Sequence, residues 1–180
     1  MSAHRKITTV ISALAAAALA ATLAVQPAMA SAPAGVQGGH IVGPKPVHYD
    51  PIDFPAGGTC AFPVHQAPVV NHVMVIQYYD DSGRLTKELY YGQLIDDVTN
   101  VSTGKTVRVD LSGSAVVTYG ADGSSVIYGV GPYSAGMHPG DTPGPFLARI
   151  DGISELTIAA SGVKRIVYAT RVDNLCTAVS

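Results

Sequence analysis

The chain has 180 residues, 11 Lys and Arg against 13 Asp and Glu, nine tyrosines, no tryptophan and two cysteines. Charged side chains are only 13% of the total, and the basic ones are scattered. No positive stripe is available to neutralise phosphates, so the sequence predicts no nucleic-acid partner.

Residues 1–30 read as a signal peptide. Arg5 and Lys6 precede an apolar stretch rich in alanine, and Ala28-Met29-Ala30 supplies the small residues that signal peptidase requires. The rival reading is a retained membrane anchor. The stretch is long enough to cross a bilayer but weakly hydrophobic, and a cleavage site follows it directly. The expectation is cleavage after Ala30 and a secreted, extracellular protein that has no membrane association after cleavage.

Residues 31–59 hold Pro33, Pro44, Pro46, Pro51 and Pro55 among several glycines. Proline removes backbone donors and glycine raises the entropy cost of order, which predicts an extended or disordered lead. Val36 to His48 is the part of it able to pack as an edge segment. The folded domain is expected over 60–180. Its two cysteines, Cys60 and Cys176, are an even pair in an exported chain, and only one intramolecular disulfide is possible.

From His72 onward, turn signals recur at a regular spacing that predicts an all-β chain. Strands are expected at 72–79, 84–91, 93–101, 105–112, 114–119, 124–130, 145–150, 153–160 and 163–171. Glycine-containing turns such as Asp80-Asp81-Ser82-Gly83 and Asp151-Gly152 lie between them. In the first hairpin, the face carrying Met74, Ile76, Tyr78, Leu85, Lys87, Leu89 and Tyr91 is the more apolar, which predicts that it faces the core. Tyr78-Tyr79 and Tyr90-Tyr91 are expected to meet across that hairpin. Further on, Val107, Val109 and Leu111 are expected inward against Thr106, Arg108 and Asp110. Sequential strands without crossover helices predict an antiparallel meander. A bridge from Cys60 to Cys176 brings the meander's ends together, which favours a small closed β-barrel over a β-sandwich.

Several turns recur together with the cysteine frame. They are Thr99 to Lys105, Leu111-Ser112-Gly113, Asp122-Gly123, Gly140-Asp141-Thr142-Pro143-Gly144 and Asp173-Asn174-Leu175-Cys176. This set resembles a group of small secreted β-rich proteins of GC-rich Gram-positive bacteria with no known activity. The resemblance implies fold and export over Cys60 to Cys176 and transfers no functional residues.

Candidate chemistry is sparse. Residues 131–144 are expected to be a long loop carrying Tyr133, Ser134, His138 and Asp141, but no Gly-x-Ser-x-Gly elbow accompanies them. Lys87 and His72 are further candidates on the inward face. Five histidines, His40, His48, His65, His72 and His138, follow no metal-ligand spacing, so neither metal nor cofactor is predicted. Asp80-Asp81 reads as turn chemistry, and Asp96-Asp97 as structural. The leading expectation is a non-catalytic binding module that takes a small apolar ligand, a glycan or a protein, with Tyr133, His138, Asp141, Lys87 and His72 as its candidate site residues. The alternatives are a small extracellular isomerase, cyclase or hydrolase working at the barrel mouth, and a structural cell-surface protein.

Overall fold

A computed structural model describes residues 39–180; the expected signal peptide, 1–30, lies outside them. The strands are antiparallel throughout and form two sheets. The small sheet runs β2 (Ile52–Phe54), β3 (Val64–Asn71), β6 (Leu94–Asn100) and β7 (Thr106–Asp110). The large sheet runs β1 (Ile41–Pro46), β4 (Met74–Tyr79), β5 (Leu85–Tyr91), β8 (Ser114–Tyr119), β9 (Ser125–Val130) and β11 (Phe146–Ile158). Two more strands, β10 (Tyr133–Met137) and β12 (Lys164–Asn174), flank β11, and a single helical turn, α1 (Leu175–Ala178), ends the chain. Among the described residues, no helix is long and apolar enough to cross a membrane.

No pairing joins the ends of either sheet, so the closed barrel expected from the sequence is not found. The reason lies in the connections. After each hairpin the chain changes sheet: β2 and β3, then β4 and β5, then β6 and β7, then β8 and β9. The disulfide Cys60–Cys176 forms as expected. It ties the β2–β3 connection of the small sheet to α1, which follows the last strand of the large one. It therefore links two sheets rather than the two ends of one.

The segment 39–59, within the expected lead, contributes two strands. β1 pairs with β4 at one edge of the large sheet, and β2 with β3 at one edge of the small sheet. At the other side of the large sheet, β11 replaces two shorter expected strands. Its first half pairs with β10 and its second half with β9, while β12 runs along its opposite edge. Gly152, at φ +77°, lies at the irregularity between the halves. Leu147 on β11 packs with Val64, Val98, Val109 and Leu111 from the small-sheet side, and with Leu175 and Val179 beyond β12. That cluster holds the two sheets together, with the disulfide at its margin.

In the first hairpin, the buried face is the opposite of the one its apolar content predicts. Met74 pairs with Tyr91, Val75 with Tyr90 and Gln77 with Glu88, with a bulge between Tyr78 and Tyr79. Val73, Val75 and Glu88 are buried. The tyrosines do not meet across the strands: Tyr90 faces Val75 and Tyr78 faces Lys87. A carboxylate can occupy the inward face because three donors satisfy it, and a count of apolar residues cannot register that. β7 behaves as expected, with Val109 and Leu111 buried and Arg108 and Asp110 exposed.

Candidate ligand-binding cleft

Three short connections carry the chain between sheets: 72–73, 92–93 and 111–113. They stack on one another. The His72 amide donates to the Gln93 carbonyl at 2.8 Å, and the Leu111 amide to the Leu94 carbonyl at 2.8 Å. Gly92 makes the corner possible: at φ +130°, a Cβ there would collide with the His72 carbonyl. Gly113 allows the next layer, because its Cβ position lies 2.5 Å from the Pro132 carbonyl oxygen. Gly113→Ala is expected to cost about 2 kcal/mol, since backbone rather than a flexible side chain must give way. Urea denaturation would check it, and an unchanged midpoint would mean that the corner is slack.

The two sheets diverge from this row of corners and leave a cleft of about 580 Å³ between them. Val73, Leu94, Leu111, Gly113 and Pro132 line its corner end. Val47, Ile52 and Pro68 line it from the small-sheet side and the β1–β2 connection; Ala115, Val117, Ile127 and Ile158 line it from the large sheet. The β1–β2 connection, which adds Tyr49 and Asp50, runs from one sheet edge to the other because β1 and β2 belong to different sheets.

Besides Asp50, two carboxylates, both buried, lie in and behind these apolar walls. Glu88 accepts hydrogen bonds from Gln77 Nε2 at 2.7 Å, from the Tyr90 hydroxyl at 2.7 Å and from the Tyr119 hydroxyl. Burial works to raise its pKa, but the three donors outweigh burial and hold the carboxyl below its usual range. The same contacts act in reverse on the phenols: burial and the Glu88 charge push Tyr90 and Tyr119 far up. Asp96 is arranged differently. Its Oδ2 accepts from Gln66 Nε2 at 2.6 Å, and Gln66 Nε2 also donates to Ser134 Oγ on β10 at 3.0 Å. Its Oδ1 is buried and has no hydrogen-bond partner among the described residues. Burial raises the Asp96 pKa, the Gln66 bond opposes it, and the charge of Asp97 adds to the rise.

The five candidate site residues from the sequence fall in separate places. Tyr133 lines the cleft, its hydroxyl accepting from Ser154 Oγ at 3.3 Å, and burial raises its pKa against that bond. His138 and Asp141 do come together, at the turn after β10. There the His138 amide donates to Asp141 Oδ2 at 2.7 Å, and Lys164 lies 3.1 Å from the His138 ring nitrogen. The Asp141 carboxylate also accepts from the Lys164 amide at 2.7 Å. This cluster fastens the turn to β12. Lys87 sits 4.0 Å over the Tyr78 ring, and His72 is exposed at a sheet-changing corner. Residues 133–137 of the expected loop at 131–144 are strand β10, which carries Ser134 towards Gln66 and not towards His138.

Asp80 keeps its expected turn role, accepting from Ser82 and Arg84 within its own hairpin. The Asp96-Asp97 pair divides. Asp97 takes a two-pronged contact from Arg108 at 2.8 and 2.9 Å, and Asp96 turns inward. No group of three or more potential metal ligands occurs among the described residues. Comparison with protein-family models, with curated proteins and with solved structures finds no match to this chain.

Proposed function

We propose that the protein is a secreted, non-catalytic binding module, a sandwich of two sheets that holds a small and mainly apolar ligand in the cleft between them. The observation that carries this reading is the cleft itself, about 580 Å³ with walls of valine, leucine, isoleucine, alanine and proline. Small-molecule sites have that size and composition, with a few polar groups to fix orientation. The disulfide is compatible with an extracellular protein, as are the targeting features of residues 1–30 and the resemblance to secreted β-rich proteins of Gram-positive bacteria. An enzyme at the barrel mouth would need His138, Asp141, Lys87 or Tyr133 to converge in one cavity. They stand at three separate places, so that constellation supplies no support for it.

The test is titration with a neutral apolar fluorophore, phenylnaphthylamine, on the native protein and on Ala115→Phe. Ala115 faces the cleft between Tyr90 and Gly129, and a phenyl ring there fills space that the ligand needs. Saturable binding that weakens at least about tenfold in Ala115→Phe is expected. A melting curve establishes that the variant is folded. Absence of binding, or equal binding by the two proteins, would overturn the proposal.

A further inference from the structure

Among the described residues, two buried side-chain oxygens lack a hydrogen-bond partner, Thr59 Oγ1 and Asp96 Oδ1. Asp96 lines the cleft; Thr59 does not. We propose that the ligand of this cleft carries a cationic amine on its apolar body, and that Asp96 Oδ1 accepts the amine's N–H. The inference rests on the cleft being a binding site and adds the chemical class of what it takes.

A buried polar atom without a partner is costly, and a carboxylate oxygen more so than a neutral one. Asp96 is only 5% exposed, and its other oxygen is held by Gln66, whose amide nitrogen is spent on Asp96 and Ser134. The carboxylate is thus fixed in orientation, with one acceptor left over. Among the described residues no lysine or arginine lines the cleft to answer it. Arg108, on the neighbouring strand β7, is engaged by Asp97. Glu88 is occupied by Gln77, Tyr90 and Tyr119 and has the charge of Lys45 on β1 nearby. Asp50, on the β1–β2 connection, is exposed to solvent and lies 3.1 Å from His48, so Asp96 is the carboxylate that acts on a ligand. A ligand anion meets repulsion from it. A ligand cation meets attraction, and Tyr49, Tyr90, Tyr119 and Tyr133 line the same space, where aromatic rings favour ammonium groups.

The pH dependence has a definite sign. Asp96 must be ionised to hold an ammonium, and its pKa stands above the ordinary carboxylate value. The groups beside it and around the cleft are Gln66 on β3, Asp97 on its own strand with Arg108 on β7 against it, Tyr90 on β5 with Glu88 bonded to it, Lys45 on β1 towards Glu88, Tyr119 on β8, Ser134 and Tyr133 on β10, and Tyr49 and Asp50 on the connection with His48 against Asp50. Glu88 and Asp97 are held low, so they keep their charge while Asp96 protonates. Binding of the cation should fade at a pH above the range where those two titrate.

The experiment uses three compounds of one skeleton, adamantanamine, adamantanol and adamantane carboxylate, each competed against phenylnaphthylamine on the full chain. The amine is expected to bind at least about tenfold more tightly than the alcohol, and the carboxylate most weakly. Asp96→Asn keeps the acceptor for Gln66 and places an amide at Oδ1. It should remove the preference for the amine and leave the alcohol's affinity within about threefold. Equal binding of amine and alcohol, or an amine preference that persists in Asp96→Asn, overturns the inference. So does a preference for the alcohol that Asp96→Asn preserves, which would mark Asp96 as a protonated donor. If phenylnaphthylamine binds and Ala115→Phe blocks it while the amine has no advantage, the cleft reading stands and the cation falls. If phenylnaphthylamine itself does not bind, both fall.

Discussion

Replacing Cys60 and Cys176 together with serine is expected to lower the melting temperature by roughly 10–20 °C. The bridged residues are 116 apart in sequence. In the chain-entropy model, a closed loop of about that length contributes about 4.7 kcal/mol by restricting the unfolded chain. The folded side adds to the effect. Cys60 belongs to the cluster in which Leu147, Leu175 and Val179 meet the small sheet, so the bridge sits where the two sheets touch. Calorimetry of the double variant, beside the native protein with and without reductant, measures the effect. A transition within a degree or two of the native one would show that the cluster alone holds the sheets.

The second large effect concerns Glu88. Glu88→Ala leaves Gln77, Tyr90 and Tyr119 without their shared acceptor, and a loss of about 3 kcal/mol is expected. The figure is kept modest because Tyr90 and Tyr119 border the cleft, where water can replace part of the loss. Glu88→Gln retains the shape and one acceptor and should lose less. The pH dependence separates charge from packing. The folded-state carboxyl lies below its ordinary value of 4.5, so its contribution is fully present above that value. It is lost as pH falls through the folded-state value. Urea denaturation from pH 7 down to pH 3 should show this decline in the native protein and a flatter curve in Glu88→Gln. Parallel curves would assign the acid sensitivity to other carboxylates, Asp80 among them.

Much of the fold is legible in single residues. The strands β5 to β9 lie within two residues of their expected limits, because glycine-bearing turns bound them and alternation runs cleanly between. The disulfide follows from there being two cysteines. What escaped is where the chain changes sheet. The corners at 92–93 and 111–113 carry a glycine as ordinary hairpin turns do, and His72-Val73 carries no turn signal at all, so only the pairing of β3 with β6 and β5 with β8 reveals them as changes of sheet. β3 was hidden by Pro68, which the strand accommodates at a register irregularity.

The cleft was less legible than the fold. Asp96 carried a usable signal: Leu94, Asp96, Val98 and Asn100 share one face of β6, and Val98 is fully buried. Extending that alternation places Asp96 inward and Asp97 outward. Asn100, on the same face, donates from its buried amide to the Val179 carbonyl at 3.2 Å. Glu88 offered no such signal. Its acceptance into the interior depends on Tyr119, thirty-one residues away, and sequence spacing does not announce that contact.

The alternation of hairpins between sheets governs the order in which the protein can assemble. Each hairpin is local and can close within microseconds. Joining one hairpin to its neighbour in the same sheet is another matter, because the chain has meanwhile visited the opposite sheet: Val64 must find Asn100, and Ile41 must find Tyr78. Closures of that span come late, and chains built on them fold in milliseconds to seconds. A nascent chain ending at Asp110 would already contain all four strands of the small sheet. It would still lack Leu147 and Val179, against which that sheet's inner face packs. Neither sheet is a subassembly, and folding waits on the last strands to emerge.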